Sequence, residues 1–279
     1  MESFDKPSPL HLLFTYQASG NIATDSNLAL QMGDRYASFA ICERQQGSLQ
    51  ALGYVPINEW NPMVFDQFIA LIDTILPTPF AVEISFDMAH LSMLPVANYE
   101  ESKLQALHQS LFPFSGSAVF KTETMAEWQL QLGYTLPGPL FYGCRSRFPN
   151  ARIRHAIKIL LDNARQSDTA GKILVDIGME TFRVLLVKNN RLQLFQTYPY
   201  ASPADVLYYL LSICEAQLVS PTDATLILTG LIEKDSALYR ELWQYFKNLT
   251  LREATSLPVD FPFPAHYFTT INDLLLCAS

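Results

Sequence analysis

Two stretches of the chain carry the same alternation of apolar and polar positions. Residues 28–41, Leu-Ala-Leu-Gln-Met-Gly-Asp-Arg-Tyr-Ala-Ser-Phe-Ala-Ile, lie on residues 173–186, Ile-Leu-Val-Asp-Ile-Gly-Met-Glu-Thr-Phe-Arg-Val-Leu-Leu, without a gap. Gly33 falls on Gly178, an offset of 145 residues, about half the chain. Self-similarity at a fixed spacing points to a repeated supersecondary unit. Each copy is an apolar run into a glycine turn and then a second β-rich run. A polar stretch (43–47 and 188–191) leads to a third run (49–55 and 192–198). That pattern predicts a three-stranded antiparallel meander, twice.

A helix follows each meander. Asn61-Pro62 supplies an N-cap and a first-turn proline ahead of Phe65, Phe68, Ile69, Ile72 and Leu76. Ser202-Pro203 does the same, with Asp205 at the capping-box position, ahead of Leu207, Leu210, Leu211, Cys214 and Leu218. The spacing puts each apolar set on one helical face. A short strand comes next in each half, over 80–86 and over 225–229, the second ending at Gly230; a further helix in the second half carries Leu238, Leu242, Tyr245, Phe246 and Leu249 on one side. The halves read as β-β-β-α-β-α lobes with mixed five-stranded sheets. Between them, a helix over 137–148, a strand over 151–155 and a helix over 157–165 form a crossover. Residues 112–136 have no counterpart in the second half and read as an inserted hairpin. The expected organisation is a tail or edge strand over 1–27, a first lobe over 28–167 and a second over 168–279. A helix over 266–277 is expected to pack back toward the first lobe.

Two such lobes, each with a glycine turn between its first two strands, resemble the actin-like ATPase (ribonuclease H-like) fold of actin, sugar kinases, chaperone ATPases and pilus-assembly actin homologues. Asp176-Ile177-Gly178-Met179-Glu180-Thr181 resembles the second phosphate-binding hairpin of that superfamily, residues 28–41 the first, and Leu226-Ile227-Leu228-Thr229-Gly230 the adenosine-side turn. With the tail Phe261-Pro262-Phe263-Pro264-Ala265-His266-Tyr267-Phe268, the spacing looks like that of a family of uncharacterised Bacteroidetes proteins with this fold. The resemblance implies a cleft at the Gly33 and Gly178 turns and, in the superfamily, a magnesium-bound ATP.

The residues depart from that pattern at all three motifs. Gln31 stands where a strand-end carboxylate would hold hydrated magnesium, and a neutral amide brings no charge to offset the ion. The second hairpin keeps Asp176, Gly178 and Thr181 but has Met179 and Glu180 where small residues let backbone N–H groups reach phosphate. A Glu180 carboxylate pointing at phosphate would repel it by about 4 kcal/mol per unit charge at ~4 Å and an effective dielectric of ~20. That is about half of the roughly 8 kcal/mol of a micromolar affinity. Gly230 is followed by Leu231 in place of a second glycine. Asp176, Gly178 and Gly230 can equally be read as turn and strand-end requirements of the fold.

Composition narrows the classes. The net charge is −8, from 19 basic and 27 acidic residues, and the chain is 49% hydrophobic and 16% charged, a globular composition that excludes a nucleic-acid coat. Cys42, Cys144, Cys214 and Cys277 lack the spacing of a disulfide or zinc framework, and no apolar run reaches the ~18 residues of a membrane span. The five histidines show no metal-ligand spacing and no hydrolase motif occurs, so no metal site and no catalytic residue is assigned. Arg145, Arg147, Arg152, Arg154, His155 and Lys158 gather within fourteen residues: either a solvated helix end and strand edge, or an anion or acidic-partner patch. In the insert, Phe114, Phe120 and Trp128 are either packing residues or a docking hairpin.

The expected function is a non-catalytic, degenerate actin-like module, a cytoplasmic scaffold or adaptor with a protein partner, no nucleic-acid partner, no inserted membrane segment and no cofactor. Self-association is compatible with it. The rival is an active or nucleotide-gated Mg·ATP-binding protein, an ATPase or small-molecule phosphotransferase, in which Asp34 replaces the missing carboxylate.

Overall fold

A computed structural model describes residues 10–19, 21–45, 47–76, 78–114, 117–164 and 170–277. The first nine residues of the expected tail, the expected helix end at 165 and the lobe boundary at 167–168 lie outside them. The chain divides into two compact units: one runs to Ala156 and includes the end of the chain from Leu274, and the other spans Ile157–Asp273.

In the first unit the meander is β2 (Ser26–Gly33), β3 (Tyr36–Glu43) and β4 (Leu49–Pro56), with β1 (Phe14–Gln17) added antiparallel to β4. Helix α1 (Pro62–Asp73) begins where the sequence places it: the Asn61 side chain accepts from Val64 N at 3.0 Å, and Phe65, Phe68, Ile69 and Ile72 are buried. β5 (Val82–Asp87) then pairs parallel with β2. After it comes the insert: β6 (Leu91–Pro95), α2 (Glu101–Leu111), β7 (Val119–Met125) and β8 (Leu130–Leu136). The chain returns through α3 (Gly138–Arg147) to β9 (Arg152–His155), which pairs parallel with β5. The main sheet has the order β1-β4-β3-β2-β5-β9.

The second unit opens with α4 (Ala156–Ala164), apart from its first residue, and continues through β10 (Lys172–Ile177), β11 (Thr181–Lys188), β12 (Arg191–Pro199), α5 (Pro203–Ala216), β13 (Thr225–Gly230), α6 (Ala237–Tyr245) and β14 (Asn248–Leu251). Ser202 and Asp205 form the reciprocal capping box of α5; the N–H groups of Ala201 and Ser202 and the Ser202 hydroxyl hold the Asp205 carboxyl below the usual range. The sheet order is β12-β11-β10-β13-β14. With β1 set aside, the two sheets share one order and one set of senses, two antiparallel pairings and then two parallel ones. Even the irregularity matches. The register slips between Ile41 and Cys42 leave Gln50 as an extra residue on β4, and those between Leu186 and Val187 leave Gln193 on β12.

Two expectations need correction. Leu249 does not extend α6: Phe246 caps that helix through its N–H to Leu242 O, and Leu249 reaches the core from β14. This makes α3–β9 the first-unit counterpart of α6–β14, rather than a mere crossover. The insert also exceeds a hairpin. β6 and α2 belong to it, and the three strands form their own sheet in the order β6-β8-β7. The apolar spacing of α2 is weak, because its buried positions are Leu104 and a histidine, His108. A 3-10 turn, Ala265–Phe268, leads into α7 (Thr269–Leu276).

His108 is fully buried and bridges the insert: Nδ1 lies 3.0 Å from Ser92 Oγ on β6 and Nε2 2.8 Å from Thr135 Oγ1 on β8. Burial, with a smaller contribution from His90, holds its pKa below the ordinary histidine value. The unfolded chain therefore takes up the proton first as pH falls. The stability tied to neutral His108 is complete above about pH 6.5 and is lost as pH falls from there toward the folded value. Thermal melts at pH 7.5 and 5.5 should show this loss, and His108→Gln should shrink it.

Candidate functional site

In the second unit the Gly178 turn is a closed two-residue loop. Gly178 N donates to Thr181 O at 2.9 Å, and Tyr200, just past β12, clips it from the side, its OH donating to Gly178 O at 2.7 Å and its N to Glu180 O at 3.1 Å. Met179, Glu180 and Thr181 are exposed on it. This hairpin register sets Asp176 directly opposite Arg183 and, on the other side, level with Thr229 of β13. Both neighbours bind the carboxylate: Arg183 Nη2 pairs with Oδ2, and Thr229 Oγ1 donates to Oδ1 at 2.7 Å. The Asp176 and Arg183 side chains are only 16% and 13% exposed, so the pair is poorly screened by water.

Gly230 sits in the left-handed region at φ +81°, and a Cβ there would lie 2.2 Å from Ile177 O. Leu231 N donates to that same carbonyl at 2.7 Å. The fold therefore requires this glycine for the chain to pass against β10. The segment after it is fastened by the 3-10 turn: His266 Nε2 bonds Ile232 O, and Tyr267 OH donates to Glu233 Oε1. Burial, with Glu233 adding to it, pushes the Tyr267 phenol well up.

In the first unit, Gln31 is buried and donates to Tyr36 OH at 2.6 Å; Tyr36 OH in turn donates to Asp87 Oδ2. Asp87 ends β5, paired with Gly33. Tyr36 stacks on Tyr54 with ring centroids 5.3 Å apart, and Gly33 O accepts from Trp60 Nε1 at 2.7 Å. Asp34 is exposed, and its Oδ2 accepts from Ala89 N at 2.8 Å, which makes it a loop anchor. Sequence reasoning missed Tyr36, Asp87, Arg183 and Thr229. Arg183 had a signal, since a two-residue turn closed at Gly178 and Thr181 forces it opposite Asp176. Asp87 had none, because nothing in the second half repeats it.

The arginines resolve into separate contacts. Glu83, 1% exposed on β5, receives Arg154 Nη2 on Oε2 at 2.8 Å; Arg152 Nε comes to 2.5 Å from Oε1 as an ion pair without hydrogen-bond alignment. Burial still raises the Glu83 pKa against the pull of both arginines. Arg147 pairs with Asp73 at 2.7 Å and lies over the Phe148 ring; Arg145 lies over Phe141. Lys158 is half-buried on α4, in the second unit. Phe114 and Phe120 are half-buried around His108, with ring centroids 6.1 and 5.3 Å from it, and Trp128 is half-buried in the 3-10 turn Ala126–Trp128 between β7 and β8.

A double-mutant cycle of Asp176→Ala and Arg183→Ala, read by urea denaturation, should give a coupling of about 1–3 kcal/mol. Gly230→Ala should cost about 1–3 kcal/mol for the left-handed backbone, before any steric overlap.

Solved structures share this architecture. A Bacteroides thetaiotaomicron protein described as having an actin-like ATPase fold and unknown function superimposes with a TM-score of 0.71 at 14% identity, covering 91% of this chain and 96% of that one. A chain of a PilM-PilN type IV pilus biogenesis complex gives 0.61 at 14% identity, covering 92% and 99%. The ethanolamine utilization protein EutJ from Carboxydothermus hydrogenoformans gives 0.50 at 8%, covering 92% and 91%. No curated protein sequence matches. The fold is the actin-like ATPase fold. Residues 17–249 match the family described as "Protein of unknown function (DUF3822)", and the chain belongs to that family.

Proposed function

We propose that this protein is a non-catalytic actin-like module that serves as a cytoplasmic scaffold or adaptor for another protein and does not turn over ATP. The observation that carries the reading is the Asp176–Arg183 pair. A divalent ion about 4 Å from a carboxylate gains about 8 kcal/mol at an effective dielectric of 20, and a guanidinium at a similar distance takes the same amount back. Arg183 thus leaves Asp176 little electrostatic capacity for magnesium. At the first unit's own turn, Gln31 is neutral and held by Tyr36, and Asp34 accepts a backbone N–H.

A protein partner is supported by the fold relative solved as a PilM-PilN complex, and by the insert, which gives the first unit a surface that the second lacks. Val96, Leu107 and Leu111 are exposed apolar residues on that insert. For the cytoplasmic setting the support is that no disulfide joins the four cysteines, three of which are buried; burial raises the Cys144 thiol to about 12 and Cys214 to about 11. Among the described residues no helix is long and apolar enough to cross a membrane.

Calorimetric titration of the full chain with ATP and magnesium should give no saturable heat, and phosphate release should stay at the buffer rate. Magnesium-dependent binding tighter than about 1 mM, or turnover abolished by Asp176→Ala, would falsify the reading.

A further inference from the structure

The two sheets treat the same edge differently. In the first unit Ile57 N donates to Arg35 O, so the alternate residues Leu52 and Tyr54 turn their backbone groups away from β3. β1 meets them: Tyr16 and Phe14 pair with Leu52 and Tyr54, Leu13 N donates to Tyr54 O at 2.9 Å, and Ala18 N to Gln50 O at 2.8 Å. In the second unit Tyr200 N donates to Glu180 O in the same way, which turns the backbone of Phe195, Thr197 and Pro199 away from β11. Among the described residues β12 pairs with β11 alone.

An open edge is ordinarily blunted by short length, charge or proline. The other edges here are: β1, β9 and β14 have four residues each, β9 carries Arg152 and Arg154, β6 has five and ends at Pro95, and β7 carries Lys121 and Glu123. β12 has nine residues and no charge between Arg191 and Pro199. Its protections are Arg191 and Pro199 at its two ends and the bulge at Gln193. An aromatic patch borders the strand: Tyr198 stacks on Tyr209 with centroids 4.4 Å apart, and the neighbouring Tyr208 is 67% exposed.

We propose that the β12 edge is a self-association surface, on which a second copy of this chain adds its own β12 antiparallel across a two-fold axis at Phe195, joining two five-stranded sheets into one. The sequence of the strand favours a copy of itself as occupant. Around that axis the uncharged residues Leu192–Tyr198 face one another, so no like charges oppose. Arg191 at the start of one strand comes level with Pro199 at the end of the other, beside the exposed Glu180 of the copy's turn, which matches opposite charges at both ends. A two-fold axis also makes the contact closed, giving a dimer rather than a fibre. This inference does not depend on whether the protein binds nucleotide.

Sedimentation equilibrium of the full chain from about 1 to 100 µM should show a reversible species of about 63 kDa, twice the 31.5 kDa chain. Gln193 and Gln196 are exposed, so Gln193→Lys with Gln196→Lys leaves the core alone while placing charge on the edge. The double variant should associate at least about tenfold more weakly, and Gln244→Lys, on exposed α6 surface, should not. Amide exchange at Phe195 and Thr197 in the wild type should slow as concentration rises. A chain that stays monomeric throughout, a dimer indifferent to the two lysines, or exchange at those amides that is independent of concentration would each overturn the proposal, and strand addition by a different protein would then be the alternative use of the edge.

Discussion

A strand that is buried on both faces and paired on both sides leaves a polar side chain only its cross-strand neighbours to bond with. β2 is buried along its whole length and β10 along most of its own, each held antiparallel on one side and parallel on the other. Gln31 and Asp176 occupy matching positions on these strands, and a buried group without a partner is expensive, more so when charged. Each is met within the sheet or at its turn. The architecture around both turns follows from this requirement.

The two halves satisfy it with different chemistry. Beside Gln31 the matching cross-strand position is Ser38, too short to reach across, and Tyr36 at the turn supplies the bond and relays it to Asp87. Beside Asp176 the cross-strand position is Arg183, and Thr229 takes the other oxygen. One arrangement is a neutral amide tied to a phenol and a carboxylate; the other is an ion pair. Neither leaves the strand-end group at that position unengaged.

What could be read from the sequence was whatever the backbone determines locally. The meanders, the N-caps at Asn61 and Ser202 and the short strands after the helices follow from period, capping chemistry and turn residues within a few positions of each other. Leu249 reads as helical because its spacing from Leu242 and Phe246 fits a helix, while the short break after Phe246 that starts β14 carries neither glycine nor proline. α2 escaped because its buried face is completed by His108, whose place in a core depends on Ser92 and Thr135 from distant strands. At the turns, Asp176, Gly178 and Gly230 could be named from their motif. Their neighbours could not, with the exception of Arg183, because Asp87 and Thr229 approach only through parallel pairings separated by more than fifty residues from the groups they bind.

The Asp176–Arg183 pair also bears on the proposal that this actin-like frame persists without turning over ATP. A catalytic strand-end carboxylate has to stay available to a metal, which costs the apo protein stability, because an uncompensated charge in a largely dry position destabilises by several kcal/mol. Placing Arg183 opposite Asp176 removes that cost with a residue the hairpin register already aligns. The Gly178 turn, clipped by Tyr200, and Gly230, passing against Ile177, are then maintained by the folding requirement alone. Selection on stability would hold these residues in place whether or not a nucleotide ever bound. Their presence is therefore weak testimony for catalysis, whereas the charge placed opposite Asp176 speaks directly to what that carboxylate can bind.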